Sequence, residues 1–120
     1  MSWSSKYLGT QYASCIHLVQ AVVDQEFGIK KNLPYIDNHA YLMECRTEWA
    51  RRVPPGQPLR DGMVVLLRPD SPVMHAGVLC LKATEPSLLH VMTAPGPAVL
   101  QSLRILGRVM KIEGIYEVLP

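Results

Sequence analysis

Apolar and polar residues alternate with helical spacing near the start of the chain. Between residues 15 and 27 the apolar positions fit an amphipathic helix: Ile16, Leu18, Val19, Val22, Val23 and Phe27. Ser14 is suited to cap this helix and Gly28 to end it. Asn32-Leu33-Pro34 breaks the pattern. A second helix is predicted from Asp37 or Asn38 through about Arg52, with a stop at Pro54-Pro55-Gly56.

After the turn signal Asp61-Gly62 the pattern changes to short apolar runs typical of strands. Five strands are predicted, at residues 63–67, 75–82, 88–93, 98–103 and 110–118. A turn is expected near Pro86-Ser87, and the last strand is expected to bend at Gly114. Helices followed by hairpin-linked strands predict an α+β fold with an antiparallel sheet.

Composition favours one folded domain over residues 1–120. Hydrophobic residues make up 48% of the chain and charged residues 18%, which excludes a disordered chain. The net charge is only +2, and Glu48 interrupts the densest basic cluster at residues 46–52, so no nucleic-acid partner is expected. No apolar run is long enough to span a membrane. Residues 1–11 lack the apolar core of a secretory signal peptide.

Three cysteines, Cys15, Cys45 and Cys80, are too few for a disulfide framework, and we expect free thiols in a reducing compartment. Cys15 falls at the start of the predicted first helix, where the helix dipole and free N–H groups stabilise a thiolate. With a histidine supplied from elsewhere, that arrangement is a cysteine nucleophile. The alternative from periodicity alone is a small buried apolar residue.

Two histidines lie on neighbouring predicted strands. Pairing about a turn near residue 84 places residue 78 beside His90 and His75 near residue 93, a separation of about three residues along the sheet. A bulge or a longer loop would bring the two closer, on one face. The alternative is one exposed histidine and one hydrogen-bonded core histidine. His17 and His39 are weaker candidates, and no cysteine stands at zinc-like spacing from them.

Four segments stand out together: YLGTQYASCIHLVQAVVDQEFGI (7–29), PLRDGMVVLL (58–67), HAGVLCL (75–81) and LLHVMT (88–93). They resemble the NlpC-type cell-wall cysteine peptidase family, and most closely its small phage-tail members. They occur in the family's order over nearly the whole chain. The resemblance implies a papain-like α+β domain in which the cysteine helix packs on an antiparallel sheet.

Carried over residue by residue, the resemblance makes Cys15 the nucleophile, His75 the general base and His90 the polar residue that orients the base. Tyr12 matches the tyrosine that lines the substrate cleft. The chain departs from the family at Ser14, where the family has Asp, and at Ile16-His17, where it has Ser-Gly. The family's Gly-Gly before the cysteine is missing, and Asp61-Gly62 inverts its Gly-Asp. These positions shape the cleft and the oxyanion site.

The function implied is an endopeptidase that hydrolyses amide bonds in peptidoglycan stem peptides, with no metal and no cofactor. The alternative is a phage tail assembly or host-contact protein that keeps the peptidase fold with weak or no activity. A third is an amidase or acyltransferase on another substrate. The partners implied are a peptidoglycan peptide and other tail proteins. The expected location is synthesis in the cytoplasm, then the virion tail and the bacterial cell wall.

Overall fold

A computed structural model describes residues 3–29, 49–68, 75–82, 85–93 and 95–120. Within those ranges a 3₁₀ helix (Trp3–Lys6) and two α-helices accompany seven strands. The helices are α1 (Cys15–Phe27) and α2 (Leu103–Val109). The strands are β1 (Gln11–Tyr12), β2 (Ala50–Arg52), β3 (Val64–Arg68), β4 (His75–Lys82), β5 (Glu85–Val91), β6 (Gly96–Ser102) and β7 (Lys111–Val118).

The strands form one curled antiparallel sheet in the order β1-β6-β5-β4-β3-β7-β2. Strands β3 to β6 are neighbours in both sequence and space, as hairpin connections require. The α+β class with an antiparallel sheet is therefore confirmed. Strand β7 returns beside β3, and a β-bulge there leaves Glu113 as an extra residue next to Gly114, where a bend was predicted.

Helix α1 begins and ends where the sequence predicts. The Ser14 backbone is extended, and its hydroxyl accepts a hydrogen bond from the His17 N–H at 3.3 Å, which satisfies one otherwise unpaired donor of the first turn. Gly28 takes the left-handed conformation with φ 68°, and the Ile29 N–H closes the helix on the Val23 carbonyl. Of its apolar stripe, the side chains from Ile16 to Val23 are buried and Phe27 is exposed; each buried one contributes roughly 1.5–3 kcal/mol.

The sheet carries an apolar cluster on each face. The cluster on one face, called here the α1-side cluster, joins the buried stripe of α1 to Val64, Leu66, Ala76, Val78, Leu89 and Val91. The cluster on the other face, the α2-side cluster, joins Leu103 and Leu106 of α2 to Met63, Val65, Leu67, Leu79 and Leu88. Alternate residues of each strand belong to different clusters, because successive side chains of a strand point to opposite faces.

Three of the predicted elements need correction. Residues predicted to end the second helix form strand β2, because Ala50 pairs with Val118 at the sheet edge; the predicted start at Asp37 or Asn38 and the residues through 48 lie outside the described residues. The turn predicted near Pro86-Ser87 is wrong, since both residues belong to β5. Leu103, predicted to end a strand, begins α2.

Candidate functional site

A chain of three hydrogen-bonded side chains crosses β4, β5 and β6. His75 Nε2 lies 2.6 Å from His90 Nδ1, and His90 Nε2 lies 2.6 Å from Gln101 Oε1. The two imidazole rings meet edge to face, with centroids 4.8 Å apart. His90 is fully buried, whereas His75 is half-buried at the first position of its strand. The contact expected between the two histidines is therefore present, and Gln101 extends it.

The register between β4 and β5 decides this contact. His90 pairs with Gly77 and not with residue 78 as predicted, because Lys82 pairs with Glu85 and the whole register is shifted by one residue. His75 is then two residues from the partner of His90, and residues two apart share a face of the strand. A slip of one residue would place the two rings on opposite faces.

A glycine beside the histidine pair makes room for Leu88 and the β5 backbone. Gly77 lies between His75 and Leu79 on the same face, opposite His90. A Cβ at this position would lie 2.5 Å from Leu88 Cγ and 2.9 Å from the Leu89 carbonyl oxygen. Any larger residue therefore forces Leu88 or β5 to move.

Both imidazoles are held in the neutral form near neutral pH. Burial, and then repulsion between the protonated forms of the two rings, lower the pKa of His75 from 6.5 to about 4. Burial lowers the pKa of His90, and the hydrogen bond to Gln101 partly opposes that effect. A neutral imidazole has one unprotonated nitrogen, which is what a general base requires.

Cys15 is the first residue of α1 and is half-buried. Its side chain packs against the α1-side cluster. The helix begins one position after Ser14, whose hydroxyl lies 2.8 Å from His17 Nδ1 as well as capping the His17 N–H. At a helix N-terminus a thiolate is favoured by the dipole and by N–H groups of the first turn.

Cys15 and His75 lie towards the same end of the sheet. β4 and β6 both begin where β5 ends, because both pair with it in antiparallel fashion. His75 is the first residue of β4, and Tyr12 pairs with Gly96, the first residue of β6. Cys15 follows Tyr12 by three positions. The other end of α1 lies against the start of β3, where the Phe27 ring covers Gly62.

The thiol and the imidazoles approach that end from different faces. His75, Gly77 and Leu79 alternate with Ala76 and Val78, and Leu79 belongs to the α2-side cluster. Leu88 pairs with Leu79 on one side and with Gln101 on the other, so all three share this face. His90 shares it too, because it lies two residues from Leu88 in the same strand. Cys15 packs on the α1-side cluster instead. The structure thus joins His75 to His90 on one face, and it places Cys15 at the same end of the sheet on the opposite face.

The remaining candidates occupy distinct places. Tyr12 is half-buried in the two-residue strand β1, packs against the α1-side cluster, and has a pKa raised by burial. His17 is exposed on α1. Cys80 is buried, and its thiol donates to Ser4 Oγ at 3.5 Å. His39 and Cys45 lie outside the described residues.

Gln101 is the site residue that the sequence analysis missed. The signal for it is a lone amide after an apolar pair in a strand, which becomes meaningful only when β6 is paired with β5. No other strong signal distinguishes it from a surface glutamine.

Within the described ranges, no three histidine, cysteine or acidic side chains are grouped closely enough to hold a metal ion. None of the helices in those ranges has the length and apolar character needed to cross a bilayer.

A surface pocket lies at the other end of the sheet. It is lined by the Arg60–Glu117 ion pair and by Phe27, Gly62 and Val118, among others. None of the histidine chain lines it. It is therefore a feature separate from the candidate site.

Comparison with known proteins adds no relative. No family model, no curated protein and no solved structure matches this chain.

Proposed function

We propose that the protein is a cysteine endopeptidase of the NlpC type, with a papain-like fold, that hydrolyses amide bonds in peptidoglycan stem peptides. Cys15 is the nucleophile, His75 the general base and His90 the residue that orients it. Tyr12 lines the cleft beside the nucleophile.

One observation carries the proposal: the 2.6 Å contact between His75 Nε2 and His90 Nδ1, at the end of the sheet where α1 begins. The contact occupies one ring nitrogen of His75. The other, Nδ1, is thereby the nitrogen available for a thiol proton. A base held by a polar third group, and a cysteine at a helix N-terminus, are the parts of a cysteine-nucleophile site.

The reaction proceeds in two stages. Neutral His75 takes the proton of the Cys15 thiol, and the thiolate attacks the amide carbonyl carbon. The N–H of Cys15 stabilises the oxyanion of the tetrahedral intermediate. The imidazolium of His75 then protonates the leaving amine, and a thioester remains. Water, deprotonated by His75, attacks the thioester and releases the carboxylic acid product and the thiol.

The low pKa of His75 selects one form of this mechanism. An imidazole with a pKa of about 4 is neutral at pH 7, so His75 is a neutral base in the resting site and no imidazolium stands beside Cys15. The proton moves when the substrate is bound. This requires Cys15 Sγ to come within hydrogen-bond distance of His75 Nδ1 around the end of β4.

The test is hydrolysis of purified peptidoglycan, with mass analysis of the released fragments. Wild-type protein should release stem-peptide fragments, while C15A and H75A should each release none. The double variant should be little worse than either, because the two residues act as one unit. C80A is the matched thiol control and should retain activity. Equal activity in wild type and C15A would exclude Cys15 as the nucleophile.

A second candidate function is a tail assembly or host-contact protein without hydrolytic activity. The observation that favours it is the placement of His75 and Cys15 on different faces of the sheet. In that case peptidoglycan fragments are absent with wild type and variants alike. Binding to intact peptidoglycan or to tail proteins, unchanged in C15A, would then support this function.

A further inference from the structure

Gln101 is the half-buried last member of the hydrogen-bonded chain, and it presents its amide oxygen to the buried ring of His90. Its Oε1 lies 2.6 Å from His90 Nε2. A carbonyl oxygen only accepts hydrogen bonds, so His90 Nε2 must carry a proton and donate it. Because His90 is neutral, its Nδ1 is then unprotonated.

The same logic fixes the next ring. His90 Nδ1, as an unprotonated nitrogen, accepts from its neighbour at 2.6 Å, so His75 Nε2 must carry the proton. The unprotonated nitrogen of neutral His75 is therefore Nδ1. The Gln101 oxygen at one end of the chain therefore fixes the direction of both hydrogen bonds. It thereby fixes which nitrogen of His75, at the other end, is free to act as the base.

The burial of His90 makes the opposite direction of these hydrogen bonds unfavourable. His90 has no exposed surface, so water cannot replace a lost partner. A buried N–H without an acceptor is destabilising, because its lost hydrogen bond to water is not replaced. The hydrogen bond that His90 donates to Gln101 also raises the pKa of His90 against the effect of burial, as expected for an acceptor that stabilises a ring N–H.

We propose that Gln101 is a positioning residue that sets the tautomers of both histidines and so leaves His75 Nδ1 unprotonated. The effect of Gln101 on catalysis rests on the proposed function. Its effect on the tautomers of the two rings does not depend on that function.

The direct test is nitrogen NMR of the ¹⁵N-histidine-labelled protein at pH 7, where protonated and unprotonated ring nitrogens have well-separated shifts. In the wild type, both His75 and His90 should be protonated at Nε2. Q101E keeps an oxygen acceptor at this position and should keep both tautomers. Q101L removes the acceptor and should give reversed or mixed tautomers in both rings.

The matched control removes a different glutamine, so that the effect of losing Gln101 can be told from the effect of losing any glutamine. Gln25 Oε1 accepts from the Tyr7 hydroxyl at 3.1 Å, so Q25L also removes a glutamine acceptor, on a different part of the molecule. Q25L should leave both histidine tautomers unchanged. Wild-type tautomers in Q101L, or Nδ1-protonated His75 in the wild type, would overturn the inference.

Kinetics on peptidoglycan fragments supply the second readout. A wrong histidine tautomer lowers kcat by about 10⁴ in a serine protease triad, and a partial mixture lowers it less. Q101L should lower kcat at least about tenfold with little change in KM, and Q101E should restore most of it. If the wild type is inactive, the proposed function fails, while the NMR result still decides the role of Gln101.

Discussion

The half-buried His75 imidazole should make folding stability fall in mildly acidic solution. Its pKa is about 4 in the folded protein against 6.5 ordinarily. Above pH 6.5 the ring is neutral in both states and contributes no difference. As the pH falls from 6.5 towards 4, the unfolded chain binds a proton that the folded protein does not, so unfolding becomes more favourable.

The size of the effect follows from the two pKa values. Each pKa unit corresponds to about 1.4 kcal/mol, so linkage gives a loss of about 2 kcal/mol at pH 5 and about 3 kcal/mol at pH 4. Carboxylates also titrate over this range, and a variant is needed to subtract their contribution.

Urea unfolding followed by tryptophan fluorescence, at pH 7 and at pH 5, measures the effect. H75Q removes the titrating group and keeps the carboxylates, so its loss of stability between the two pH values should be about 2 kcal/mol smaller than that of wild type. H17Q, which changes an exposed histidine, should lose as much as wild type. If H75Q and wild type lose equal stability, His75 is not the buried neutral group described here.

Three further predictions concern single positions. G77A should destabilise the fold by about 1–3 kcal/mol, because its Cβ meets Leu88 and the β5 backbone. G107A in α2, whose Cβ has ordinary contacts, should instead stabilise the fold by up to about 1 kcal/mol. The opposite ranking in thermal unfolding would refute the packing described. S14A should cost about 1 kcal/mol in urea unfolding, since it removes the α1 cap; a cost near zero would show that the cap is dispensable. Iodoacetamide at pH 6 should label half-buried Cys15 before buried Cys80, and H75A should slow the labelling of Cys15. If peptide mapping finds Cys80 labelled first, the Cys15 thiol is not activated.

The sequence by itself determined the local elements whose signals are complete within a few residues. Helix α1 carries its cap, its apolar stripe and its terminating glycine within residues 14–28. Strands β3 and β4 coincide, within a residue, with the two predicted apolar runs. Such signals act between neighbours in the chain, so pattern alone locates them. The candidate residues Cys15, His75 and His90 came from the same local patterns and from the family resemblance.

Only the tertiary structure decided which of these residues meet. A shift of one residue in the β4–β5 pairing determines whether the two histidines share a face, and no local pattern distinguishes the two registers. Gln101 joins the chain only because β6 pairs with β5. Strand β2 exists because β7 offers it a free edge, and α2 because Leu103 and Leu106 fill a cluster built by distant strands. Contacts between residues far apart in sequence depend on packing, and packing is a property of the whole fold.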